Sequence, residues 1–446
     1  MENITYAAMG GENADIPERE LDAVFSRALN EALSRAGDGR AVIIPPDITR
    51  FHSRAGFFTD ICVRELGSDK VKAVLPALGT HQAMTSAELA RMFPGTPQEL
   101  FRVHDWRNDV AELGRIEADW IERATGGAVR YDWPVQVNRM LLEADTGLVV
   151  SIGQVVPHEV VGMANHAKSL FVGCGGKEAI DKSHFAGASY GMERMMGRAD
   201  TPVRAMFDEG LRRYGERLPP ILWALTVIGT RSDTEAASSG TERGSAAVRG
   251  LFIGFGRDCF EQAAALSRRV NVDLLDEAPR KVVVYLEPQE FRTTWLGNKA
   301  VYRTRMAIAD GGELLIMAPA LERFGEDRGV DALIRRYGYR PASVISERVR
   351  TEPELADNLS AAAHLIHGCS EGRFTVRYCP GPAMTRQEIE AAGFEWGCLD
   401  EASARYDRRA LAAGWNTMPD GERIFFVPNP AMGLWAERRR YDINEE

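Results

Sequence analysis

The sequence predicts an α/β protein of two domains with largely parallel sheets. Short apolar runs alternate with helical patterns over most of the 446 residues. The apolar runs are continuous, which is typical of strands buried on both faces of a parallel sheet. Their alternation with helices indicates layered units joined by right-handed crossovers. Because ligands of parallel sheets bind beyond the carboxyl ends of the strands, we expect the active site in the cleft between the domains.

The first predicted domain covers residues 1–275. Its strand candidates are apolar runs at 41–45, 72–78, 147–153, 221–229 and 250–255. Helices are predicted over 17–37 and over 85–93, where Thr85 or Ser86 is the N-cap and Glu88 lies in the first turn.

The second predicted domain covers residues 280–446. It contains strands at 280–288 and 312–319 and helices at about 297–308 and 328–337. The boundary falls in the polar, proline-containing segment LLDEAPRK. In this prediction the extreme C-terminus can pack back on the first domain.

Charge and cysteine usage exclude several classes of protein. The net charge of −10 argues against binding to nucleic acids or membrane surfaces, because both are anionic. No apolar run reaches the roughly 20 residues that span a bilayer, and the N-terminus lacks a basic start followed by an apolar core. We therefore expect a cytoplasmic protein. The six cysteines are scattered without a CxxC pair, which argues against a zinc ribbon, an iron–sulfur cluster or a disulfide framework.

Polar residues that suit chemistry follow the strand candidates of both domains. They are Asp47, Thr49 and Arg50 after the first strand, His81 after the second, His158, His166, Lys168 and His184 after the third, and Arg292, Trp295 and Lys299 after the strand at 280–288. Because the carboxyl ends of parallel strands share one edge of a sheet, the pattern predicts a single basic site that is rich in imidazoles.

Each of these residues also has an ordinary structural interpretation. A histidine at a strand end is commonly just hydrogen-bonded there, and a lysine is usually solvated. The GCGGK sequence at 173–177 lacks the spacing of a phosphate-binding loop. His158, His166 and His184 could ligate zinc, but no pair has the short spacing of a specific zinc site. Two alternatives thus stay open: a zinc- or other metal-dependent hydrolase or lyase, and a non-catalytic protein that binds small carboxylates or nucleotides.

Taken together and in order, the residues resemble the nickel-pincer lactate racemase family. The core motif of that family is P-H-x-x-x-G-F-S-G-G-x-K, and PHEVVGMANHAK keeps its histidine (His158), first glycine (Gly162) and lysine (Lys168) at the same spacing. A histidine follows sixteen residues after the lysine in the family, and His184 stands at that position. The likeness extends over about residues 40–320.

The resemblance implies an isomerase, a racemase or epimerase of a 2-hydroxy carboxylic acid. It implies a nickel-pincer nucleotide that is held covalently on Lys168 and ligated by His184. The enzymes that make this cofactor are implied as partners. His81 and His158 match the acid–base pair on opposite faces of the substrate. The remaining matches are cofactor contacts at Asp47, Thr49 and Gly173, and substrate contacts at Arg50, Lys299, Trp295 and Leu296.

That chemistry explains why these residue types are needed. The α-hydrogen of a 2-hydroxy acid is a poor acid, so its transfer as hydride to a pyridinium carbon avoids a carbanion and gives a planar 2-keto acid. An imidazole, with a pKa of about 6.5, suits removal of the hydroxyl proton at neutral pH. Return of the hydride to the other face requires a second imidazole, and cations hold the carboxylate meanwhile. Imidazole nitrogen is also a good ligand for nickel.

Two departures from the family pattern bear on the substrate and the loop. GMANH replaces GFSGG, so Asn165 and His166 stand where the family has two glycines, and His166 is a candidate third imidazole in the site. Trp295 and Leu296 stand where lactate-type members have tyrosine and glutamine, which predicts a substrate with a bulkier or less polar side chain than lactate. His364 and His367, by contrast, are expected to be packing or capping groups near the end of a helix.

Overall fold

The computed structural model of the chain describes residues 3–35, 39–231, 245–431 and 433–443. They form two units, Met1–Ser183 with Gly197–Asn271 and His184–Met196 with Val272–Glu446. The prediction had placed residues 184–196 in the first domain. The structure groups them with the second unit because Met192 and Met196 share its apolar cluster with Tyr302 and Met306.

The first unit is built on a six-stranded sheet in the order β1-β10-β9-β6-β2-β3. Strands β9, β6, β2 and β3 are parallel to one another, whereas β10 is antiparallel to both of its neighbours. Two further antiparallel pairs, β4-β5 and β7-β8, complete the unit. The strands are β1 (Ile4–Gly10), β2 (Arg40–Ile44), β3 (Val71–Val74), β4 (Val110–Ile116), β5 (Trp133–Asn138), β6 (Thr146–Gln154), β7 (Pro157–His158), β8 (Gly162–Met163), β9 (Ile221–Thr230) and β10 (Ala246–Phe255).

Helices cover this sheet on both faces. Glu18–Leu33 and Ala55–Leu66 pack together over one face, where the rings of Phe25 and Phe58 meet edge-on with centroids 5.0 Å apart. Asp258–Asn271 packs on β9 and β10. The other α-helices are Ser86–Met92, Ala118–Ala124, Pro202–Tyr214 and Lys177–Tyr190, the last divided between the units after Ser183. Short 3₁₀ turns span Ile48–Ser53, Gln98–Leu100, Arg139–Leu142, Met192–Arg194 and Gly215–Arg217, and a π-helical turn spans Ser169–Gly173.

The second unit has its own six-stranded sheet in the order β15-β14-β13-β12-β17-β16, parallel except for β16. A separate parallel pair joins β11 to β18, so the C-terminal strand is paired within this unit. The strands are β11 (Val272–Leu275), β12 (Lys281–Tyr285), β13 (Glu313–Ala318), β14 (Thr375–Pro380), β15 (Glu395–Trp396), β16 (Gly414–Thr417), β17 (Arg423–Val427) and β18 (Leu434–Glu437). The helices are Thr294–Gly297, Lys299–Thr304, Arg328–Tyr337, Ala342–Thr351, Pro353–Ala356, Leu359–His367, Arg386–Ala391, Leu399–Arg405 and Arg438–Ile443.

The α/β class with largely parallel sheets is confirmed, and three elements differ from their predicted form. The run at 250–255 belongs to an antiparallel strand, because β10 returns beside β9. The strand predicted at 72–78 ends at Val74, just before a proline that has no N–H to offer the ladder. The helix predicted at about 297–308 is two short helices on either side of Asn298. Residues 36 and 37 of the first predicted helix lie outside the described residues.

All six cysteines are free thiols, and five of them are buried. Burial raises the pKa of Cys62 and Cys174 well above the ordinary thiol value. In the described ranges, no helix combines the length and the apolar character needed to cross a bilayer.

Candidate functional site

Three adjacent parallel strands of the first unit carry predicted site residues at their carboxyl ends. Strands β6, β2 and β3 are neighbours in the sheet. The loop after β2 carries Asp47 and Arg50, the loop after β3 carries His81, and the segment after β6 carries His158. The fold therefore places these residues at one edge of one sheet, as the strand pattern predicts.

Asp47 and His81 form a hydrogen-bonded pair across two of these loops. Asp47 Oδ2 lies 2.6 Å from His81 Nδ1, and Asp47 Oδ1 accepts hydrogen bonds from the backbone N–H and the hydroxyl of Thr49. Burial alone would raise the pKa of Asp47, but the hydrogen bonds and charge of His81 and Thr49 lower it to about 2. The Asp47 side chain is 6% exposed and that of His81 48% exposed. A buried carboxylate thus holds an imidazole that faces solvent.

His158 lies on the very short hairpin β7-β8, where it pairs with Gly162. Its side chain is 8% exposed. The backbone N–H of Val160 donates to its Nδ1 over 3.1 Å. His158 is therefore oriented by main chain, whereas His81 is oriented by a carboxylate.

Lys168 follows the hairpin and precedes the turn Ser169–Gly173. Its amine is partly buried, and within the described ranges it makes no hydrogen bond or ion pair. Burial, followed by the positive charge of Arg50, lowers the pKa of Lys168 to about 8. The Arg50 guanidinium likewise has no ion-pair partner among these residues. Two cationic side chains that have no hydrogen-bonded or ion-paired carboxylate among the described residues predict an anionic or electrophilic ligand near them.

We expect the Lys168 amine of the unloaded protein to react with acylating reagents at a rate that rises through about pH 8. Arg50→Ala should move this midpoint upward, because it removes a like charge. Pulsed labelling followed by peptide mass spectrometry measures the midpoint in the native protein and in Arg50→Ala. Lys281 is the internal control. Burial would lower its pKa, but contacts with Tyr406 and Glu313 hold it above the usual value. A Lys168 midpoint near the ordinary lysine pKa of about 10.4 would contradict the expectation.

Two residues of the GMANH segment adopt an uncommon backbone conformation. Asn165 and His166 have φ values of +72° and +56°, in the left-handed region that glycine adopts most easily. Asn and His are among the residues that best tolerate this region without being glycine. Asn165 Oδ1 also accepts hydrogen bonds from the Ser169 hydroxyl and from the backbone of His166. Asn165 and His166 therefore form a left-handed turn that leads to Lys168.

His166 does not join the candidate site as a third imidazole. It is 2% exposed, and its ring packs between Trp223 and Phe260 with centroid distances of 4.2 and 5.3 Å. Its Nε2 donates to the Gly256 carbonyl over 3.1 Å. Burial and the charge of Arg204 lower the pKa of His166 to about 3, so the ring is neutral. It is an aromatic core residue.

Arg204 was not among the predicted site residues, but it supports the loop that precedes Lys168. This arginine is fully buried, and its Nη2 donates to the carbonyls of Met163 and Asn165 over 2.7 and 3.1 Å. Its guanidinium also stacks on Phe260 at 4.1 Å. No local motif marks such a residue, because its partners are main-chain atoms some forty positions away.

Gly173 and Thr49 have structural roles in the same region. Thr49 donates two hydrogen bonds to Asp47 Oδ1. A Cβ on Gly173 would lie 2.5 Å from that of Ala77, and the Gly173 carbonyl accepts from the Gly79 N–H over 2.8 Å. Gly173 thus allows the turn after Lys168 to pack on the loop that carries His81. Contact of either residue with a cofactor stays a prediction.

In the second unit, Trp295 and Leu296 lie on the helix Thr294–Gly297, and Lys299 begins the next helix. All three are partly buried. The Trp295 ring packs on His364 at 4.3 Å, and His364 Nε2 is 3.0 Å from the Tyr339 hydroxyl. Lys299 Nζ lies 5.7 Å from the centroid of Phe291. His364 is thus a packing group, as expected, but the ring that it supports is a predicted substrate contact.

His184 lies in the helix Lys177–Tyr190 and belongs to the second unit. In the parts of the chain that the structure describes, no group of three or more histidine, cysteine, aspartate or glutamate side chains could hold a metal ion. The zinc set of His158, His166 and His184 is therefore not assembled, and the direction of His166 explains why.

Comparisons with known proteins find relatives of this fold. Residues 11–195 match the family model of the lactate racemase N-terminal domain. The fold resembles a crystal structure of a Thermotoga maritima protein (TM-score 0.77, 22% identity), covering 96% of this chain and 99% of that one. It also resembles the lactate racemase apoprotein of Thermoanaerobacterium thermosaccharolyticum (TM-score 0.66, 16% identity), covering 98% and 100%. No curated protein matches.

Proposed function

We propose that the chain, whose residues 11–195 match the family model of the lactate racemase N-terminal domain, racemises or epimerises a 2-hydroxy carboxylic acid. The observation that carries the proposal is the set of groups at neighbouring strand ends. The Asp47–His81 pair offers a proton acceptor, and His158 offers a second imidazole. Arg50 adds a cation that has no ion-pair partner among the described residues.

The residues present fit a nickel-pincer nucleotide. Covalent attachment needs a neutral amine, and burial followed by the charge of Arg50 lowers the pKa of Lys168 to about 8. This cofactor would bring most of its metal ligands and take one from the protein. We assign that ligand to His184. When bound, the cofactor supplies a reversible hydride acceptor.

The protein's own groups then perform binding and proton transfer. Arg50 is proposed to bind the substrate carboxylate, since a guanidinium can do so with two hydrogen bonds. His81 is proposed to take the hydroxyl proton at Nε2, and Asp47 stabilises the imidazolium that results. His158 is proposed as the second proton-transfer group.

We assign substrate contacts to Lys299, Trp295 and Leu296. Lys299 supplies a further cation for the carboxylate. Trp295, fixed by its contact with His364, and Leu296 present apolar surface. They favour a 2-hydroxy acid whose side chain is larger or less polar than that of lactate.

Loading of the protein tests the proposal. Produced together with the cofactor-making enzymes, the chain should contain nickel and an added mass on Lys168. It should also reduce the optical purity of one member of a panel of chiral 2-hydroxy acids that includes aromatic and sugar acids. Lys168→Ala should lose all three properties, whereas Lys177→Ala, at an exposed lysine nearby, should keep them. Nickel and added mass that persist in Lys168→Ala would overturn the assignment.

A non-catalytic carboxylate-binding protein is the second candidate, favoured by the two unpaired cations alone. It predicts that unloaded protein binds a 2-hydroxy acid and that loaded protein leaves its optical purity unchanged. The hydrogen-bonded Asp47–His81 pair favours catalysis, because simple binding needs no oriented base.

A further inference from the structure

The two imidazoles of the site have opposite hydrogen-bond partners at Nδ1. The Nδ1 atom of His81 lies 2.6 Å from Asp47 Oδ2. An ionised carboxylate only accepts hydrogen bonds, so the hydrogen of a neutral His81 is on Nδ1. Its Nε2 atom therefore carries a lone pair.

The Nδ1 atom of His158 faces a donor instead. The backbone N–H of Val160 points at it over 3.1 Å, and an amide N–H cannot accept. Glu159 Oε2 is 3.8 Å from the same nitrogen, which is beyond hydrogen-bonding distance. The amide therefore decides the tautomer, and a neutral His158 carries its hydrogen on Nε2.

We propose that the protein holds His81 and His158 in opposite neutral tautomers, with Asp47 as the positioning residue of His81. His81 then meets its ligand as a proton acceptor and His158 as a hydrogen-bond donor. The use of these states in catalysis rests on the proposed function, whereas the tautomers belong to the unloaded chain.

The difference in tautomer between His81 and His158 has a consequence for turnover. When His81 is the base, the substrate O–H bond breaks, an N–H bond forms at His81 Nε2, and the new charge lies beside Asp47. For His158 to act as base, its hydrogen must first move to Nδ1 and the Val160 hydrogen bond must break. Because enantiomers have equal free energies, kcat/KM is equal in the two directions. The asymmetry should therefore appear as unequal kcat values with compensating KM values.

Asp47→Asn should invert the tautomer of His81. The Thr49 backbone N–H and hydroxyl both donate to Asp47 Oδ1, so the asparagine carbonyl should take that place. Its NH₂ group then faces His81 Nδ1 and forces that nitrogen to accept. Glu159→Gln is the matched control at His158, where the amide and not the carboxylate sets the state.

Nitrogen NMR of the unloaded full chain with ¹⁵N-labelled histidine provides the test. Spectra recorded at about pH 8.5, above the ordinary imidazole pKa of about 6.5, distinguish protonated from unprotonated ring nitrogens. His81→Gln and His158→Gln assign the signals. We expect Nδ1–H for His81, Nε2–H for His158, an exchange of the two His81 signals in Asp47→Asn, and no change at His158 in Glu159→Gln.

A hydrogen on Nδ1 of native His158, or an uninverted His81 in Asp47→Asn, would overturn the proposal. If Asp47→Asn does not fold, Asp47→Ala should give His81 a mixture of both tautomers. A retained single Nδ1–H form would show that Asp47 does not set the tautomer of His81. The tautomers could be as expected while loaded protein racemises nothing. That result would refute the proposed function and leave the tautomer assignment standing.

Discussion

Cofactor-loaded His81→Gln protein is expected to interconvert enantiomers with a kcat about 10²–10⁴-fold below that of the native enzyme, the usual contribution of a positioned acid or base. Glutamine keeps much of the size of the side chain but cannot take the hydroxyl proton. The imidazole is half-exposed, so its loss should cost little stability. KM should change less than kcat, because Arg50 and Lys299 are assigned to hold the carboxylate.

Nickel content and the mass of Lys168 must be measured on the same preparation, so that a chemical defect is separated from poor loading. Gln82→Ala changes the exposed neighbour of His81 and should retain native kcat. A fall of less than tenfold in fully loaded His81→Gln protein would show that His81 is not the principal base.

His166→Phe is expected to remove an acid-sensitive component of stability. His166 has a pKa of about 3 in the folded protein and about 6.5 when unfolded. Its stabilising contribution is complete above pH 6.5 and is lost as the pH falls, because only the unfolded chain then binds the proton. The loss is about 2 kcal/mol at pH 5. Phenylalanine preserves the contacts with Trp223 and Phe260 and does not titrate.

The variant should be less stable than native protein by about 1–3 kcal/mol at pH 7, because the Gly256 carbonyl loses its donor. On going to pH 5, the free energy of unfolding should fall by about 2 kcal/mol more in the native protein than in His166→Phe. Unfolding midpoints measured across this range provide the check. Phe260→Leu is the control, since it weakens the same cluster but keeps the imidazole and hence the native slope. A difference between native and His166→Phe protein that is constant with pH would refute the assignment.

Much of the fold follows from local patterning. Four of the five predicted strands in the first domain match parallel strands of the sheet, since buried β-branched runs are a strong signal. Such a run does not encode whether the strand is parallel or antiparallel to its neighbours. Strand β10 is as apolar as β9, yet it is antiparallel because the chain returns directly beside β9. The strand β1 was not predicted, because its exposure alternates irregularly along ITYAAMG.

The site was predictable as a set of residues but not as a set of contacts. Motif spacing pointed to His158 and Lys168, and strand ends pointed to Asp47 and His81. The hydrogen bond between the last two joins positions thirty-four apart, and no local pattern encodes it. The packing of the His166 side chain into the core was equally unpredictable, because it depends on rings from β9 and from the helix Asp258–Asn271.

The left-handed pair Asn165–His166 has a consequence for recognising relatives of this chain. A search pattern that demands two glycines before the lysine discards a protein that keeps the same dihedral angles with other residues. A pattern that accepts glycine, asparagine, aspartate or histidine there describes the backbone requirement itself. The backbone at these positions requires only the shape of the turn, and the His166 side chain also packs in the core on which the turn rests.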